Sequence, residues 1–466
     1  MTKIRGKRGR LRPALWLALG GALLTGLKAQ NFTQIRPSPQ QAAWQDLEFG
    51  VILHFGPNTF LNQEWGNGTA SPRVFNPRRF DPGQWMRAIR AAGAKYVIFV
   101  AKHHDGFCLW PTAQTDYSVK SSPFEHGHGD VVGAVERAAR KYGLKFGLYL
   151  SPWDRHDPRY QNSAAYDRLY EAEMTELITR YGPLAEWWLD GAGSAGHVYN
   201  FPAYLHLLRE YQPNTLVFAD VNFMKWGDIR WVGNEGGIAP RDNWDVIDRT
   251  GYLRWRPAEC DTPLHRRQWF WHPHDGATLK TLPELLATYE RTVGRGCQLM
   301  LGVAPDAEGR LPRRDAQRLR QFGAALRRIY GHNLAPTAER VISSAGGQPR
   351  LAADNDAATF WMPRPGVYAV DLELRFRRPV TFDRAVTMEW LNRGQEIERY
   401  EIQAEAGPRS QSGGGWRTLA RGTSIGHKRI NRFARTTATR VRLRIQEAAG
   451  RPAIREFQLY DGQGAP

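Results

Sequence analysis

Cysteine is scarce in this chain of 466 residues, which contains only Cys108, Cys260 and Cys297. They are too few and too scattered for a disulfide framework, and their spacing matches no zinc motif. One pair at most could oxidise. The fold must therefore rest on hydrophobic cores, for which 42% hydrophobic residues and 17 tryptophans provide the material. The length suits a large barrel-type domain followed by a second module.

The chain has no apolar run that reads as a bilayer-spanning helix. Near its start, the short apolar stretch "ALWLALGGALLTG" follows the basic segment "MTKIRGKRGRLRP" and precedes "LKA". This order predicts a signal peptide over residues 1–29, removed by signal peptidase. We expect an exported protein, periplasmic or extracellular, with no stable membrane insertion after cleavage. An uncleaved membrane anchor is the alternative.

Basic residues are abundant, but they form no compact stripe interleaved with stacking aromatics. The formal net charge of +18 includes seven basic residues and no acidic residue within positions 1–29, so the mature chain carries 18 − 7 = +11. The remaining arginines are dispersed, and many alternate with acids along helices, as in "AVERAARKYG". A solvated, arginine-rich surface is the better interpretation, and we expect no nucleic acid partner.

Eight short apolar runs alternate with amphipathic stretches between residues 45 and 330. Strands of this kind, separated by segments of helical period, indicate a parallel sheet buried on both faces. Eight such units predict a (β/α)8-like barrel over residues 30–335. A doubly wound open sheet is the alternative, because no convincing helix precedes the seventh run. The runs are "FGVILHF", "KYVIFVAK", "KFGLYLS", "EWWLD", "TLVFAD", "IRWVGNE", "QWFWH" and "CQLMLGV".

The sequence pattern changes after "GHNLAPTAE", where apolar residues begin to recur at every second position. Segments such as "GVYAVDLELRF" and "TRVRLRIQEA" alternate apolar and polar residues and are separated by Gly, Pro and Asn. This pattern predicts a β-sandwich over residues 337–466. It shows no row of binding aromatics, so we expect the sandwich to pack against the barrel, with a lectin-like role as the alternative.

Polar and aromatic residues follow the predicted strands, at the end of a (β/α)8 barrel where functional side chains collect. Indoles stack on the C–H faces of sugars, while imidazoles and carboxylates hydrogen-bond hydroxyl groups, so this composition is typical of a carbohydrate site. The residues that follow the runs are His54, Glu64, Trp65, His103, His104, Asp105, Tyr149, Trp153, Trp188, Asp190, Glu235, Arg266, Trp269 and His272.

Asp190 and Glu235 follow the fourth and sixth runs, on opposite walls of the predicted pocket. Two facing carboxylates are the minimum equipment for glycoside hydrolysis, and a retaining enzyme needs them about 5–5.5 Å apart. Asp190 would stay ionised, whereas Glu235 would need a raised pKa to protonate a leaving oxygen. Taken singly, each could instead be a structural or solvated acid.

A metal site has weaker support. His103 and His104 are adjacent, and neighbouring residues of a strand point to opposite faces, so they cannot easily share one ion unless the chain bends there. No HExxH or HxxEH spacing is present. We therefore expect no metal ion and no cofactor.

Seven motifs in this order resemble glycoside hydrolase family 29, the α-L-fucosidases: "VILHFGPNTF", "EWGNG", "AKHHDGFCLWPT", "YGLKFGLYLSPWD", "EWWLDGA", "WVGNEGG" and "GCQLMLGVAPDAEG". The elements "EWGNG" and "GNE" resemble the branch that acts on α-1,3- and α-1,4-linked fucose. The resemblance extends into "TSIGHKRINRF" and "IREFQLYDG", so it covers nearly the whole mature chain. "LGVAPD" and "RRQWFW" depart from the family's usual residues at the mouth of the pocket.

The resemblance implies a retaining exo-α-L-fucosidase acting on a fucosylated oligosaccharide or glycoconjugate. Asp190 would be the nucleophile and Glu235 the acid/base. The methyl group of fucose would need an apolar wall, for which Phe55, Trp65 and Trp188 are candidates. The residues implied to bind substrate are His54, Glu64, Trp65, His103, His104, Tyr149, Trp188 and Arg266.

Other functions fit the same sequence. The first alternative is a broad-specificity α-L-fucosidase or an α-L-galactosidase, since L-galactose adds only one hydroxyl and an apolar pocket rejects such an addition weakly. The second is a carbohydrate-binding protein without turnover, against which the presence of both carboxylates argues. The sequence predicts no oligomeric state.

Overall fold

The structure of the chain, a computed structural model, describes residues 34–246, 254–405 and 415–463. The predicted signal peptide over residues 1–29 lies outside the described residues. Within them, no helix has the length and apolar character needed to cross a membrane.

Eight parallel strands close into a barrel in chain order, with β1 hydrogen-bonded to both β2 and β8. Strand residues are buried on both faces because helices cover the outside and side chains fill the inside, as the Val-, Ile-, Leu- and Phe-rich runs predict. The predicted (β/α)8-like barrel is therefore confirmed. The strands are β1 Phe49–Leu53, β2 Tyr96–Lys102, β3 Lys145–Leu150, β4 Glu186–Leu189, β5 Leu216–Ala219, β6 Ile229–Trp231, β7 Ala258–Pro263 and β8 Gln298–Val303.

Helices connect most of these strands, and several carry the caps expected from their sequences. Ser38 and Thr281 each form a capping box at the start of the first and seventh helices. A 3-10 helix, Val221–Trp226, joins β5 to β6. The α-helices are α1 Pro39–Gln45, α2 Pro57–Leu61, α3 Pro82–Ala92, α4 Val131–Lys141, α5 Ser163–Arg180, α6 Phe201–Tyr211, α7 Leu282–Arg291 and α8 Arg313–Tyr330.

The seventh strand is not where the sequence predicts it. The run "QWFWH" at 268–272 forms a loop, and β7 is instead Ala258–Pro263, with the sequence AECDTP. Two acids, Glu259 and Asp261, are buried in this strand. Because these two acids are polar, a search for apolar runs does not find strand β7. They are tolerated because indole and phenol groups inside the barrel donate hydrogen bonds to them.

The C-terminal domain is an antiparallel sheet of six strands, in the order β12-β11-β13-β10-β14, with β9 paired to β10. The predicted C-terminal β-sandwich is confirmed as a domain of antiparallel sheet. Its two longest strands, β10 and β13, change register at bulges, and a bulge bends a strand. The strands are β9 Arg340–Ser343, β10 Val370–Glu389, β11 Ile397–Glu405, β12 Trp416–Gly422, β13 Arg429–Ala448 and β14 Ile454–Tyr460.

The two domains join through ionic and backbone contacts. Asp46, between α1 and β1, accepts hydrogen bonds from His427 at 2.9 Å and from Arg455 at 2.5 Å. The backbone N–H of Ile430 in β13 donates to the carbonyl of Gly294, just before β8, at 2.9 Å. Because both barrel segments precede a strand, the sheet domain covers the end of the barrel opposite to the one where functional side chains collect.

Candidate active site

Asp190 directly follows β4 and is held in one orientation. Its Oδ2 accepts the hydroxyl proton of Tyr149 at 3.0 Å, and its Oδ1 accepts the backbone N–H of Ala192 at 2.8 Å. The side chain is 17% exposed, which is enough for a ligand to reach it. Burial raises the pKa of Tyr149 well above its usual range, and the charge of Asp190 adds to this. Tyr149 therefore remains a donor at neutral pH.

His104 faces the same carboxylate, with its Nε2 3.5 Å from Asp190 Oδ2. Its Nδ1 lies 2.8 Å from Ser151 Oγ, which donates its own proton to the carbonyl of Trp153 at 2.6 Å. Ser151 Oγ must then accept a hydrogen bond from the Nδ1–H of His104. Burial lowers the pKa of His104, against the charge of Asp190, so the ring is neutral at pH 7 and its Nε2 is an acceptor turned toward the site.

His54 and His103 form the buried side of the pocket. Burial, with the neighbouring His104 ring as a second cause, lowers the pKa of His54 to about 3 and that of His103 well below its ordinary value. Both are neutral at pH 7. Their rings lie 5.6 Å apart, and Nδ1 of each has no hydrogen-bond partner within the described part of the chain. Buried polar atoms without partners are rare and mark sites where a ligand can supply the missing bond.

The chain bends at the two adjacent histidines. Strand β2 ends at Lys102, and the rings of His103 and His104 lie only 4.2 Å apart. They therefore face one site together, contrary to the alternation expected along a continuous strand. Among the described residues, no group of three or more His, Cys, Asp or Glu side chains is arranged to hold a metal ion.

Glu64 holds the loop that follows β7 in place through hydrogen bonds. Its carboxylate accepts the backbone N–H of Trp269 at 2.9 Å and of Phe270 at 3.3 Å, and it pairs with the His272 ring. The sequence predicts a strand here; the structure shows a loop whose rings lie over the histidines. The ring of Phe270 is 5.3 Å from that of His54 and 5.0 Å from that of His103.

Aromatic side chains occupy two levels of the site. Trp65 is 51% exposed and lies edge-on to His104 at 5.4 Å and to Trp153 at 5.5 Å, so it can meet a ligand. Trp188 is buried below, stacked on Phe218 at 3.9 Å and donating its indole N–H to Glu259 at 2.9 Å. It forms the floor beneath Tyr149.

Phe55 is not part of the pocket, although the sequence analysis predicts that it contributes to the apolar wall. Its ring is fully buried in an aromatic cluster with Phe75 at 5.3 Å, Trp85 at 5.5 Å and Phe80 at 6.4 Å. The neighbouring residue His54 points into the site. Because Phe55 lies beyond the end of β1, its direction could not be deduced from the strand period.

Glu235 lies in the loop after β6, two strands along the barrel from the strand that Asp190 follows. Partial burial raises its pKa, and the negative charges of Asp190 and Glu64 raise it further, against a hydrogen bond from the Trp269 side chain. The residue as a whole is exposed to solvent. A raised pKa favours a carboxyl group that holds its proton until a leaving group needs it.

Arg266 lies apart from the other nine predicted site residues. Its guanidinium makes two bonds to the carboxylate of Glu284 in α7, at 2.6 and 2.7 Å, and it donates to the carbonyl of Ala277 at 3.3 Å. Glu284 also caps α7. The guanidinium group of Arg266 thus bonds the first turn of that helix.

Two further acids near the pocket are absent from the sequence prediction. Asp220, after β5, accepts the backbone N–H of Gly191 at 2.6 Å, and Asp261 in β7 accepts the indole N–H of Trp231 at 2.6 Å. Burial raises the pKa of each acid well above the ordinary range. The negative charge of Asp190 raises the pKa of Asp220 further, and the negative charge of Glu235 raises the pKa of Asp261 further. Asp220 ends its run just as Asp190 does, and that signal could have revealed it.

Comparison with known proteins supports one family. The family model described as alpha-L-fucosidase matches residues 27–331. Alpha-L-fucosidase 1 of Arabidopsis thaliana is 36% identical over 451 residues, covering 91% of this chain and 87% of the relative. A putative alpha-L-fucosidase 1 of Oryza sativa subsp. japonica is 37% identical over 450 residues, covering 91% and 84%.

Solved structures agree with these relatives. A putative alpha-L-fucosidase from Bacteroides thetaiotaomicron has a TM-score of 0.86 and 32% identity, covering 92% of this chain and 98% of the other. A GH29 fucosidase from Ruminococcus gnavus, solved in complex with fucose, has a TM-score of 0.84 and 27% identity, covering 92% and 96%. With a family model that matches most of the chain and relatives that span nearly all of it, the chain belongs to the α-L-fucosidases of glycoside hydrolase family 29.

Proposed function

We propose that this α-L-fucosidase retains anomeric configuration, with Asp190 as nucleophile and Glu235 as acid/base. The observation that carries the proposal is the environment of Asp190. It is a reachable carboxylate, bonded by Tyr149 and Ala192 and faced by a neutral His104. Glu235 lies close enough for the charge of Asp190 to raise its pKa. A hydrogen-bonded carboxylate beside a carboxyl group whose pKa is raised suits this pair of roles.

The reaction then proceeds in two displacements. Asp190 attacks C1 of the fucosyl unit as the C1–O bond to the leaving sugar breaks, and the proton of Glu235 passes to the departing oxygen. The ionised Glu235 next takes a proton from water, whose oxygen attacks C1 and releases Asp190. Glu235 ends protonated and Asp190 ionised, as both began.

We propose that the fucose pocket has a polar side for the sugar hydroxyls and an apolar side for the methyl group. His104 Nε2 and the unpartnered nitrogens of His54 and His103 would bond the sugar hydroxyls, because all three rings are neutral and buried. The exposed Trp65 would supply the apolar contact for the methyl group. Fucose bound to the Ruminococcus gnavus relative supports this ligand. In this proposal Glu64 positions the loop that covers the pocket, and Tyr149 orients Asp190. Trp188 supports the floor of the pocket. Arg266, which is bonded to Glu284, does not contact the sugar.

We also propose a preference for α-1,3- and α-1,4-linked fucose. The "EWGNG" and "GNE" elements support it, because they place Trp65 and Glu235 at the open side of the pocket, where the leaving sugar must lie. Fucose release from Lewis-type trisaccharides, 2′-fucosyllactose and an aryl fucoside tests the linkage. Release from the branched trisaccharides alone is expected; preference for the aryl or α-1,2 substrate would indicate broad specificity.

Two variants separate the catalytic roles. Asp190→Ala should lower kcat at least about 10³-fold on every substrate, because no covalent intermediate can form. Glu235→Gln should lower it strongly on trisaccharides but far less on an aryl fucoside, whose leaving group needs little protonation. Equal losses on both substrates for Glu235→Gln would remove it as the acid.

Export is proposed on the sequence of the first 29 residues. A basic segment followed by a short apolar one and a small residue is the pattern of a cleaved signal. Sequencing the N-terminus of the protein made in a secreting host tests this, and a start at Gln30 is the expected result. An intact N-terminus in the membrane fraction would favour an uncleaved anchor.

A further inference from the structure

Arginines crowd a cleft where the barrel meets the sheet domain, on the side of the molecule away from Asp190. The cleft has a volume of about 690 Å³ and lies between α7, its following loop and strands β12 and β13. Two of its arginines, Arg295 and Arg429, are directly opposed in an antiparallel backbone bridge between the domains. Like charges placed directly opposite each other across paired strands are destabilising. We call this the seam cleft.

The seam cleft lacks the carboxylates that would balance this charge. Five arginines line it, with Glu290 as the one acidic residue among the described lining residues. That carboxylate already accepts a bond from the buried Arg384 at 3.0 Å and from the Tyr330 hydroxyl at 3.0 Å, and its Oε2 lies 3.6 Å from Arg432, so it balances at most one of the cleft arginines. The five arginines are Arg241, Arg295, Arg421, Arg429 and Arg432.

On the open sheet of the same domain, two arginines are paired with acids. Arg440 bonds Glu373 at 2.7 Å and Arg442 bonds Asp371 at 2.6 Å on the sheet. In the seam cleft, by contrast, Arg295 donates to the carbonyl of Ala239 at 2.6 Å, and Arg429 donates to the carbonyl of Arg241. Carbonyls orient these guanidinium groups without neutralising them, which leaves the charge available to an anion.

The electrostatics agree with this geometry. Burial lowers the pKa of Arg295, and the positive charges of Arg429, Arg291 and Arg241 lower it further. The guanidinium groups therefore repel one another. An oxyanion would relieve that repulsion, because guanidinium groups bind sulfate and carboxylate oxygens through short, charge-assisted hydrogen bonds.

The shape of the surface indicates an extended ligand. Arg241 and Arg421 also line an adjoining groove of about 480 Å³, whose other charged lining residues are Arg399, Asp242 and Glu401. This groove follows β12, which is the edge strand of the sheet. Since the enzyme acts on glycans, a chain of sugars bearing anionic groups is the ligand that combines length, charge and availability.

We propose that the seam cleft is an accessory binding site for acidic glycans, which it holds through their sulfate or carboxylate groups. The site is separate from the fucose pocket. It would retain the enzyme on an acidic polysaccharide while Asp190 acts on a fucosyl end elsewhere.

The test compares two charge-matched double variants of the full chain. Arg241→Gln with Arg421→Gln removes two exposed arginines of the seam cleft, and the carbonyl of Arg241 that orients Arg429 remains. Arg90→Gln with Arg168→Gln removes two exposed arginines on α3 and α5 as the control. Both lower the net charge equally and neither touches the fucose pocket.

Binding is measured by calorimetry at fixed ionic strength with four probes. These are a chondroitin sulfate oligosaccharide, its desulfated counterpart that keeps the carboxylates, a neutral maltooligosaccharide of equal length, and sodium sulfate. The unaltered protein should bind one or both acidic oligosaccharides and not the neutral one, and the two acidic probes identify the group recognised. The cleft variant should bind at least about tenfold more weakly, and the control should match the unaltered protein.

Three results would overturn the proposal: equal weakening in both variants, no weakening in either, or binding of sodium sulfate only. Fucose release from a neutral trisaccharide is measured alongside and should be the same in all three proteins. Failure of binding with intact release therefore rejects the accessory site alone, while absent release rejects the proposed linkage.

Discussion

At the scale of single residues, the orientation of Asp190 depends on one phenol. Tyr149 donates to Oδ2 while the backbone of Ala192 fixes Oδ1, so the carboxylate has little freedom to rotate. In the proposed mechanism, attack on C1 requires an oxygen in line with the breaking bond, and small misplacements of reacting atoms are costly. Tyr149 is thus placed to act through Asp190 rather than on the sugar itself.

Tyr149→Phe tests this orientation. We expect kcat/KM to fall about 10- to 100-fold, because a hydrogen bond to a charged group is lost and the carboxylate can turn. Steady-state kinetics on an aryl fucoside measures the loss. The control is Tyr170→Phe, which removes a hydroxyl equally buried but bonded to the carbonyl of Leu150 at 2.9 Å. An equal fall in the control would assign the effect to general packing.

Residue identities were easier to predict from the sequence than residue directions. Asp190, His54, His103, His104 and Tyr149 could be predicted because they end barrel strands, and the structure brings them together. The directions of side chains that follow a bend after a strand could not be predicted. Phe55 turns into an outer aromatic cluster, and Arg266 turns to Glu284, because local partners outside any periodic pattern decide both.

At the scale of elements, β7 shows why one strand escaped prediction. Seven of the eight predicted runs coincide with barrel strands, and each of the seven is dominated by apolar or aromatic residues. Strand β7 instead carries Glu259 inside the barrel, where it accepts from Trp188 at 2.9 Å and from Tyr96 at 3.1 Å. Only tertiary partners make a buried acid stable, so a pattern of apolar residues cannot reveal such a strand.

Glu259 faces a second buried acid, Glu186 of β4, which accepts the Trp44 indole N–H at 2.9 Å. Burial raises the pKa of Glu186 to about 8, and burial together with the charge of Glu186 raises that of Glu259 well above its ordinary value. Two carboxyl groups in contact inside a barrel cannot both ionise at low cost. The pair therefore holds protons in the folded state at neutral pH.

This pair makes stability depend on pH. The folded pKa of Glu186 exceeds its ordinary value of 4.5, so its protonated form contributes stability that is complete below pH 4.5 and is lost as the pH rises through about 8. The midpoint of thermal unfolding should fall between pH 6 and about pH 9. Glu186→Gln should reduce this fall, because an amide has no proton to lose.

Differential scanning calorimetry across that range measures the effect, with Glu210→Gln, an exposed residue of α6, as the control. The control should follow the unaltered protein at every pH. If Glu186→Gln shows the same alkaline loss as both, the carboxyl pair is not its source.

At the scale of the whole molecule, the sheet domain is built as a partner of the barrel. Asp46 bonds His427 and Arg455, and Gln395 donates to the carbonyl of Asn243 at 2.9 Å and accepts from the N–H of Asp245 at 3.0 Å. These bonds join positions distant in sequence, which is why the sequence predicted two domains but not how they meet. They support a packing role for the sheet domain.

Asp46→Asn should weaken this junction. Burial alone would raise the pKa of Asp46, but the bonds and charges of His427 and Arg455 outweigh it and hold that pKa well below its ordinary value of 3.8. A depressed pKa contributes stability above about pH 4 that is lost in acid. The unfolding midpoint should therefore drop by about 2 °C at pH 7, since the pair is partly exposed, and the difference should shrink toward pH 3.

Calorimetry at the two pH values, with kcat/KM measured alongside, distinguishes a junction effect from a catalytic one. Asp116→Asn, a 94% exposed aspartate paired with Lys120, is the control and should change neither. A loss of activity in Asp46→Asn at a temperature well below unfolding would contradict a purely structural role.

The central claim is that Asp190 forms the covalent bond to fucose, and trapping that bond tests it most directly. The protein is incubated with 2-deoxy-2-fluoro-L-fucosyl fluoride, whose fluorine at C2 slows release of the intermediate. It is then digested, and its peptides are sequenced by mass spectrometry. We predict one fluorofucosyl group per chain, carried on Asp190 in the peptide containing "EWWLDGAG". A label on Asp220 or Glu235, or inactivation without any label, would contradict the assignment.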